Sequence, residues 1–90
     1  MLDWNDLRHF LAVARTGSTL AAGRSLRVSQ TTAARRVAAL EEELGLTLFE
    51  RRSAGYALTS DGGALLAYAR QVAGAAGVSM LSARRKTKLN

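Results

Sequence analysis

Apolar residues recur along the chain in helical runs separated by polar punctuation. Trp4, Leu7, Phe10, Leu11 and Ala14 follow Asp3 at helical spacing, and Gly17 comes after them. This predicts a first helix of about 13 residues with an acidic first turn, Arg15 in its last turn and a glycine stop. Ser18 is placed to cap a second helix, Thr19 to about Arg27, whose inner face is Ala22, Gly23 and Leu26. Val28-Ser29 is long enough only for a turn. Ser29 can cap a third helix, Gln30 to Leu44, with the apolar line Ala33, Val37, Leu40 and Leu44 and a stop at Gly45. Two helices joined by so short a turn must cross steeply, which is the helix-turn-helix geometry.

The period then changes. Leu46-Thr47-Leu48-Phe49 alternates and predicts a short strand; Arg51-Arg52-Ser53-Ala54-Gly55 reads as a turn, and Tyr56-Ala57-Leu58 alternates again. A small hairpin after a helix-turn-helix is a wing. Thr59 or Ser60 caps a fourth helix along which Leu65, Ala69, Val72, Ala76 and Met80 recur. Gly74 and Gly77 each cost roughly 1 kcal/mol relative to alanine in a helix interior, so this helix is expected to about Ala76. The predicted fold is mainly α with a small β-hairpin: a winged helix-turn-helix followed by a long C-terminal linker helix. The expected division is a winged helix-turn-helix domain over 1–58, a linker helix over 59–83 and a basic tail over 84–90. There is no internal repeat.

Composition narrows the chemistry. Ninety residues suit one domain. The absence of cysteine excludes a disulfide scaffold, a thiolate zinc site and a cysteine nucleophile. His9 is the sole histidine and cannot build a histidine-cluster metal site. It is expected on the outer side of the first helix, with no carboxylate or nucleophile patterned around it, so neither an enzyme nor a cofactor is expected. Glu41, Glu42 and Glu43 fan around their helix and cannot converge on a metal; they are expected as a solvated face. Trp4, Phe10, Phe49 and Tyr56 are expected in core or wing packing. No apolar run is long enough to span a membrane, and the start MLDWNDL is acidic where a signal peptide would be basic. Cytoplasm is the expected compartment. Of the net charge of +6, four positive charges lie in Arg84-Arg85-Lys86-Thr87-Lys88 alone, so the body is only mildly basic. Where the arginines sit must decide what they do.

The segments LRHFLAVARTGS (7–18), SLRVSQTTAARRVAALEEELGLTLFER (25–51) and ALTSDGGALL (57–66) lie in order over about two thirds of the chain. Together they resemble the N-terminal DNA-binding domain of LysR-type transcriptional regulators. That resemblance implies a winged helix-turn-helix that dimerises through its linker helix and binds a partly palindromic double-stranded DNA operator in bacteria. It implies higher oligomers where a full-length effector domain is present. Thr31 stands where the family commonly has proline, Ala34 where a small polar residue is common, and Ser53, Ala54 and Ala57 where an arginine near the wing tip is frequent. Family members continue into an effector-binding domain. This chain ends at Asn90 without one, as either a fragment or a naturally short protein.

Residues at the N-terminus of the second helix of a helix-turn-helix point at base edges. Gln30, Thr31, Thr32 and Arg35 are therefore the expected base contacts: glutamine suits adenine, arginine guanine, and a threonine methyl thymine. Arg36 lies beside Arg35 but faces elsewhere, so phosphate and solvent are its two readings. Arg51 and Arg52 open the wing and are expected on the DNA backbone, a position the resemblance makes frequent for Arg51; an ordinary salt bridge to Glu50 or Glu42 is the competing role for both, and for Arg52 it weighs as much as the backbone contact. Ser18 and Ser29 are helix caps whose helix N-termini also suit a phosphate. Leu65, Ala69, Val72 and Ala76 form the expected dimer stripe. An alternative function is an interaction-only short regulator that heterodimerises through the linker helix.

Overall fold

A computed structural model of the chain describes residues 3–77, with side chains through Gln71. Four helices and one hairpin follow in the order α1 (Trp4–Thr16), α2 (Thr19–Leu26), α3 (Gln30–Leu44), β1 (Phe49–Arg52), β2 (Gly55–Leu58) and α4 (Ser60–Gly77). The helix ends are set by local chemistry. Asp3, Ser18 and Ser29 each accept a hydrogen bond from a first-turn N–H, at Asn5, Ala21 and Thr32. Thr59 does the same for α4, its Oγ1 accepting from the Gly62 N–H at 3.0 Å. Helices α1 and α3 stop at glycines in the left-handed region, Gly17 (φ 74°) and Gly45 (φ 67°). Helix α2 stops at Arg27, which holds φ 62° despite its Cβ.

Helices α1, α2 and α3 pack on one another around Phe10, Val13, Ala22, Ala33 and Leu40, all fully buried. The α2–α3 turn is tight because Gly23 is bare: a Cβ there would lie 2.7 Å from the Val28 carbonyl oxygen. The Val28 N–H donates to the Gly23 carbonyl at 2.8 Å across the same gap. The hairpin pairs antiparallel with Phe49 opposite Leu58 and Arg52 opposite Gly55. Phe49 joins it to the core, its ring tilted against Phe10 at 5.3 Å and meeting Tyr56 edge-on at 5.7 Å.

Four expectations change. The first strand is Phe49–Arg52, not Leu46–Phe49, so Arg51 and Arg52 are strand residues rather than a turn. Leu46–Leu48 alternates because Leu48 is pulled into the core, not because it pairs. The Leu48 N–H donates to Glu41 Oε2 at 2.7 Å, and its carbonyl accepts from the Thr59 N–H at 3.0 Å. Glu41 is accordingly half-buried and structural, while Glu42 and Glu43 are exposed. His9 is 2% exposed instead of outward, since α1 is covered by more than one neighbour and buries a wide arc. Its Nδ1–H donates to the Asn5 carbonyl at 2.7 Å. Trp4 is 51% exposed rather than packed, because it begins α1 above the core.

Candidate nucleic-acid interface

The exposed residues of α3 form one ridge. Thr31, Arg35, Ala38 and Glu42 are all exposed at spacings of four and three, opposite the buried line Ala33, Val37 and Leu40. Charge divides this ridge along its length. Arg35 and the positive helix N-terminus occupy the first half, and Glu42 the second. A polyanion is drawn to the N-terminal half and repelled from the other. The Arg35 side chain makes no hydrogen bond or ion pair among the described residues, so its guanidinium is available.

Other expected contact residues already have partners. Gln30 is exposed, yet its Nε2 donates to Thr19 Oγ1 on α2 at 3.2 Å, which ties the start of α3 to α2. Thr32 is half-buried, and its Oγ1 accepts from Ser29 Oγ at 3.0 Å. Ser29 therefore uses its hydroxyl in both directions, accepting from the Thr32 N–H as cap and donating to the Thr32 hydroxyl. Ser18 is half-buried as the cap of α2. Arg36 leans towards α1, 3.6 Å from Asp6 Oδ1. That oxygen is buried without a hydrogen-bond partner, so Arg36 is its charge partner. This pairing across α1 and α3 escaped the sequence reading, because nothing local links positions so far apart.

In the wing, Arg52 pairs with Glu50 at 2.7 Å. Arg51 lies over the Tyr56 ring, 5.6 Å from its centroid, and is exposed. A cation–π contact of this exposed kind holds the side chain by about 0.5–1 kcal/mol, little enough for a phosphate to compete. The tip residues Ser53 and Ala54 are exposed and carry no charge.

On α4 the expected stripe divides. Ala69 is fully buried in the core of its own chain, and Leu65 is packed against that core. Val72 and Ala76 lie on the helix, but their side chains, like the Arg84–Lys88 tail, fall outside the described residues. No group of histidine or acidic side chains able to hold a metal occurs among the described residues. No described helix is long and apolar enough to cross a membrane.

Two packed helices joined by a tight turn, an antiparallel hairpin after them and an outward basic start to the second helix define a winged helix-turn-helix module. The family model for the bacterial regulatory helix-turn-helix proteins of the lysR family matches residues 4–63, and the chain belongs to that family. The HTH-type transcriptional regulator ClcR of Pseudomonas putida is 37% identical over 87 residues, which cover 97% of this chain and 30% of that protein. TfdS of Cupriavidus pinatubonensis is 42% identical over 71 residues, 79% of this chain and 24% of that regulator. The chain thus spans less than a third of these relatives. Among solved structures, the DNA-binding domain of CbnR in complex with DNA superposes with a TM-score of 0.80 at 41% identity, over 87% of this chain and 90% of that one. The BenM DNA-binding domain bound to catB site 1 DNA superposes at 0.79 with 32% identity, over 88% and 86%.

Proposed function

We propose that the chain binds double-stranded DNA sequence-specifically as a dimer and regulates transcription, with α3 entering the major groove by its N-terminal half. The observation that carries this reading is the α3 ridge, on which Thr31 and an unpartnered Arg35 stand outward ahead of Glu42. The DNA complexes of CbnR and BenM support the same docking. Arg35 and Thr31 reach base edges. Gln30 and Thr32, tied to Thr19 and Ser29, read bases at closer range. Ser18, Ser29, Arg36, Arg51 and Arg52 contact the backbone, where contacts position the protein without specifying sequence. Residues 1–58 form the DNA-binding unit and 59–83 the linker. Leu65 and Ala69 anchor α4 to the body, while Val72 and Ala76 carry the seam with the second subunit.

The test is selection of bound fragments from random duplexes, followed by Arg35→Ala on the selected operator. Loss of the guanidinium should cost about 1–3 kcal/mol there and relax preference at one base pair per half-site. Unaltered discrimination by Arg35→Ala would remove the base-reading role from this ridge.

A further inference from the structure

We infer that Arg27, in the turn between α2 and α3, is an additional contact to a DNA phosphodiester, an inference that rests on the DNA-binding reading above. Three helices end in the left-handed region, and two of them do so at glycine. In that region an L-residue's Cβ crowds the following carbonyl, which is why glycine dominates there and asparagine or aspartate come next. Arg27 is the one non-glycine residue with positive φ among those described. Its backbone has no room to relax, since the Val28 N–H is bonded to the Gly23 carbonyl and Gly23 sits against Val28 and Ser29.

Among the described residues, nothing offsets this strain through the side chain. The Arg27 backbone N–H donates to the Arg24 carbonyl at 3.3 Å, but its exposed side chain makes no hydrogen bond, ion pair or ring contact among the described residues. By contrast, Arg8, Arg15, Arg36 and Arg52 all have partners. The Arg24 side chain, one turn earlier on α2, is likewise exposed and without a partner among the described residues, so two such cations close α2 ahead of the turn. The turn lies two residues before Ser29, at the end of α3 that enters the groove. In this docking the preceding helix crosses the DNA backbone. A long cation there meets the phosphates at the groove's edge, while base edges are left to α3. The competing role is local: a cation at the C-terminus of α2 also suits the helix dipole.

Arg27→Gln, Arg27→Lys and Arg27→Gly in the 90-residue chain separate the two roles. Binding to a selected operator and to an unrelated duplex is titrated over a range of salt, alongside thermal melting. Arg27→Gln and Arg27→Gly should weaken both duplexes alike and make the log–log salt slope shallower by about 0.9 per subunit. Arg27→Lys should keep the slope, and Arg27→Gly should melt at a higher temperature than wild type while binding less tightly. A wild-type slope for Arg27→Gln would overturn the phosphate contact and leave the dipole role. A loss confined to the operator would make Arg27 a base reader and overturn it too. A wild-type chain with no affinity for any duplex would bring down the DNA-binding reading itself, and this inference with it.

Discussion

The α2–α3 unit and the β1–β2 wing hold their arginines differently. On α2, the turn and the outer ridge of α3, Arg24, Arg27 and Arg35 have no partner among the described residues. On the wing, Arg52 is paired with Glu50 and Arg51 rests on Tyr56. The backbones are anchored differently too. The α2–α3 turn is fixed by main-chain contact at Gly23, whereas the wing combines a main-chain bond, from the Tyr56 N–H to the Gly17 carbonyl at 2.9 Å, with side-chain tethers: Glu41 on the Leu48 and Phe49 N–H groups, and the ring contacts from Phe10 through Phe49 to Tyr56. A rigid frame with free cations suits sequence reading, because a base contact needs a fixed origin. A hairpin whose cations are already engaged suits sequence-independent affinity.

The largest expected effect breaks the rigid frame. Alanine in place of Gly23 would raise helix propensity by about 1 kcal/mol if α2 stood alone. Its Cβ, however, would meet two main-chain oxygens at 2.7 and 3.2 Å, neither of which can swing aside like a flexible side chain. Overpacking of this kind costs about 1–3 kcal/mol, so Gly23→Ala should lower the denaturant midpoint despite the propensity gain. The new tilt of α3 should also lower operator affinity. A midpoint at or above wild type would show that the turn can open, and the contrast with the wing would lose its basis.

Much of the rigid half was legible in the sequence, because its signals are local. Asp3, Ser18 and Ser29 mark three helix starts and Gly17 and Gly45 two of the ends; α3 runs from Gln30 to Leu44 as its capping and period predict. The exposed position of Arg35 follows from the same period. What was illegible depends on contacts between distant residues. Leu46–Leu48 alternates like a strand, but Glu41 and Thr59 hold Leu48 in the core instead of a neighbouring strand. His9 and Asp6 fall outside a single apolar stripe, yet α1 is covered from several sides. Arg36 was read as facing phosphate or solvent, and its approach to Asp6 depends on how α1 and α3 cross. The burial of Ala69 within its own chain has the same origin, since one apolar stripe can serve a core or a partner.

A smaller effect should follow from cutting the wing's tether. Glu41→Ala leaves the Leu48 N–H without its acceptor beside a fully buried side chain. A buried donor left unpaired costs about 1–3 kcal/mol, and the low end applies here because Glu41 is only half-buried. Glu41→Gln keeps a carbonyl oxygen and should recover most of the loss in thermal melting. Amide exchange should rise at Leu48 and Phe49 while α2 and α3 keep their protection. Equal loosening of α3 would show that wing and frame are one cooperative unit.

The smallest effect sharpens the comparison inside the wing itself. Arg51 and Arg52 are adjacent and exposed, but they start from different bound states. Arg52 is in a surface ion pair with Glu50, worth about 0–1 kcal/mol, and must give up that partner to meet a phosphate. Arg51 leaves only a ring face that stays in place beneath it. Arg51→Ala should therefore weaken operator and unrelated duplex alike and make the salt slope shallower by roughly one contact per subunit. Arg52→Ala should do less, because Arg52 has to give up Glu50 to meet a phosphate, and the Glu50 left behind repels the backbone only weakly through solvent. Neither change should alter the ratio of specific to non-specific affinity at fixed salt. A fall in that ratio for Arg51→Ala would make the wing a reader of sequence, and the division of labour between frame and wing would have to be redrawn.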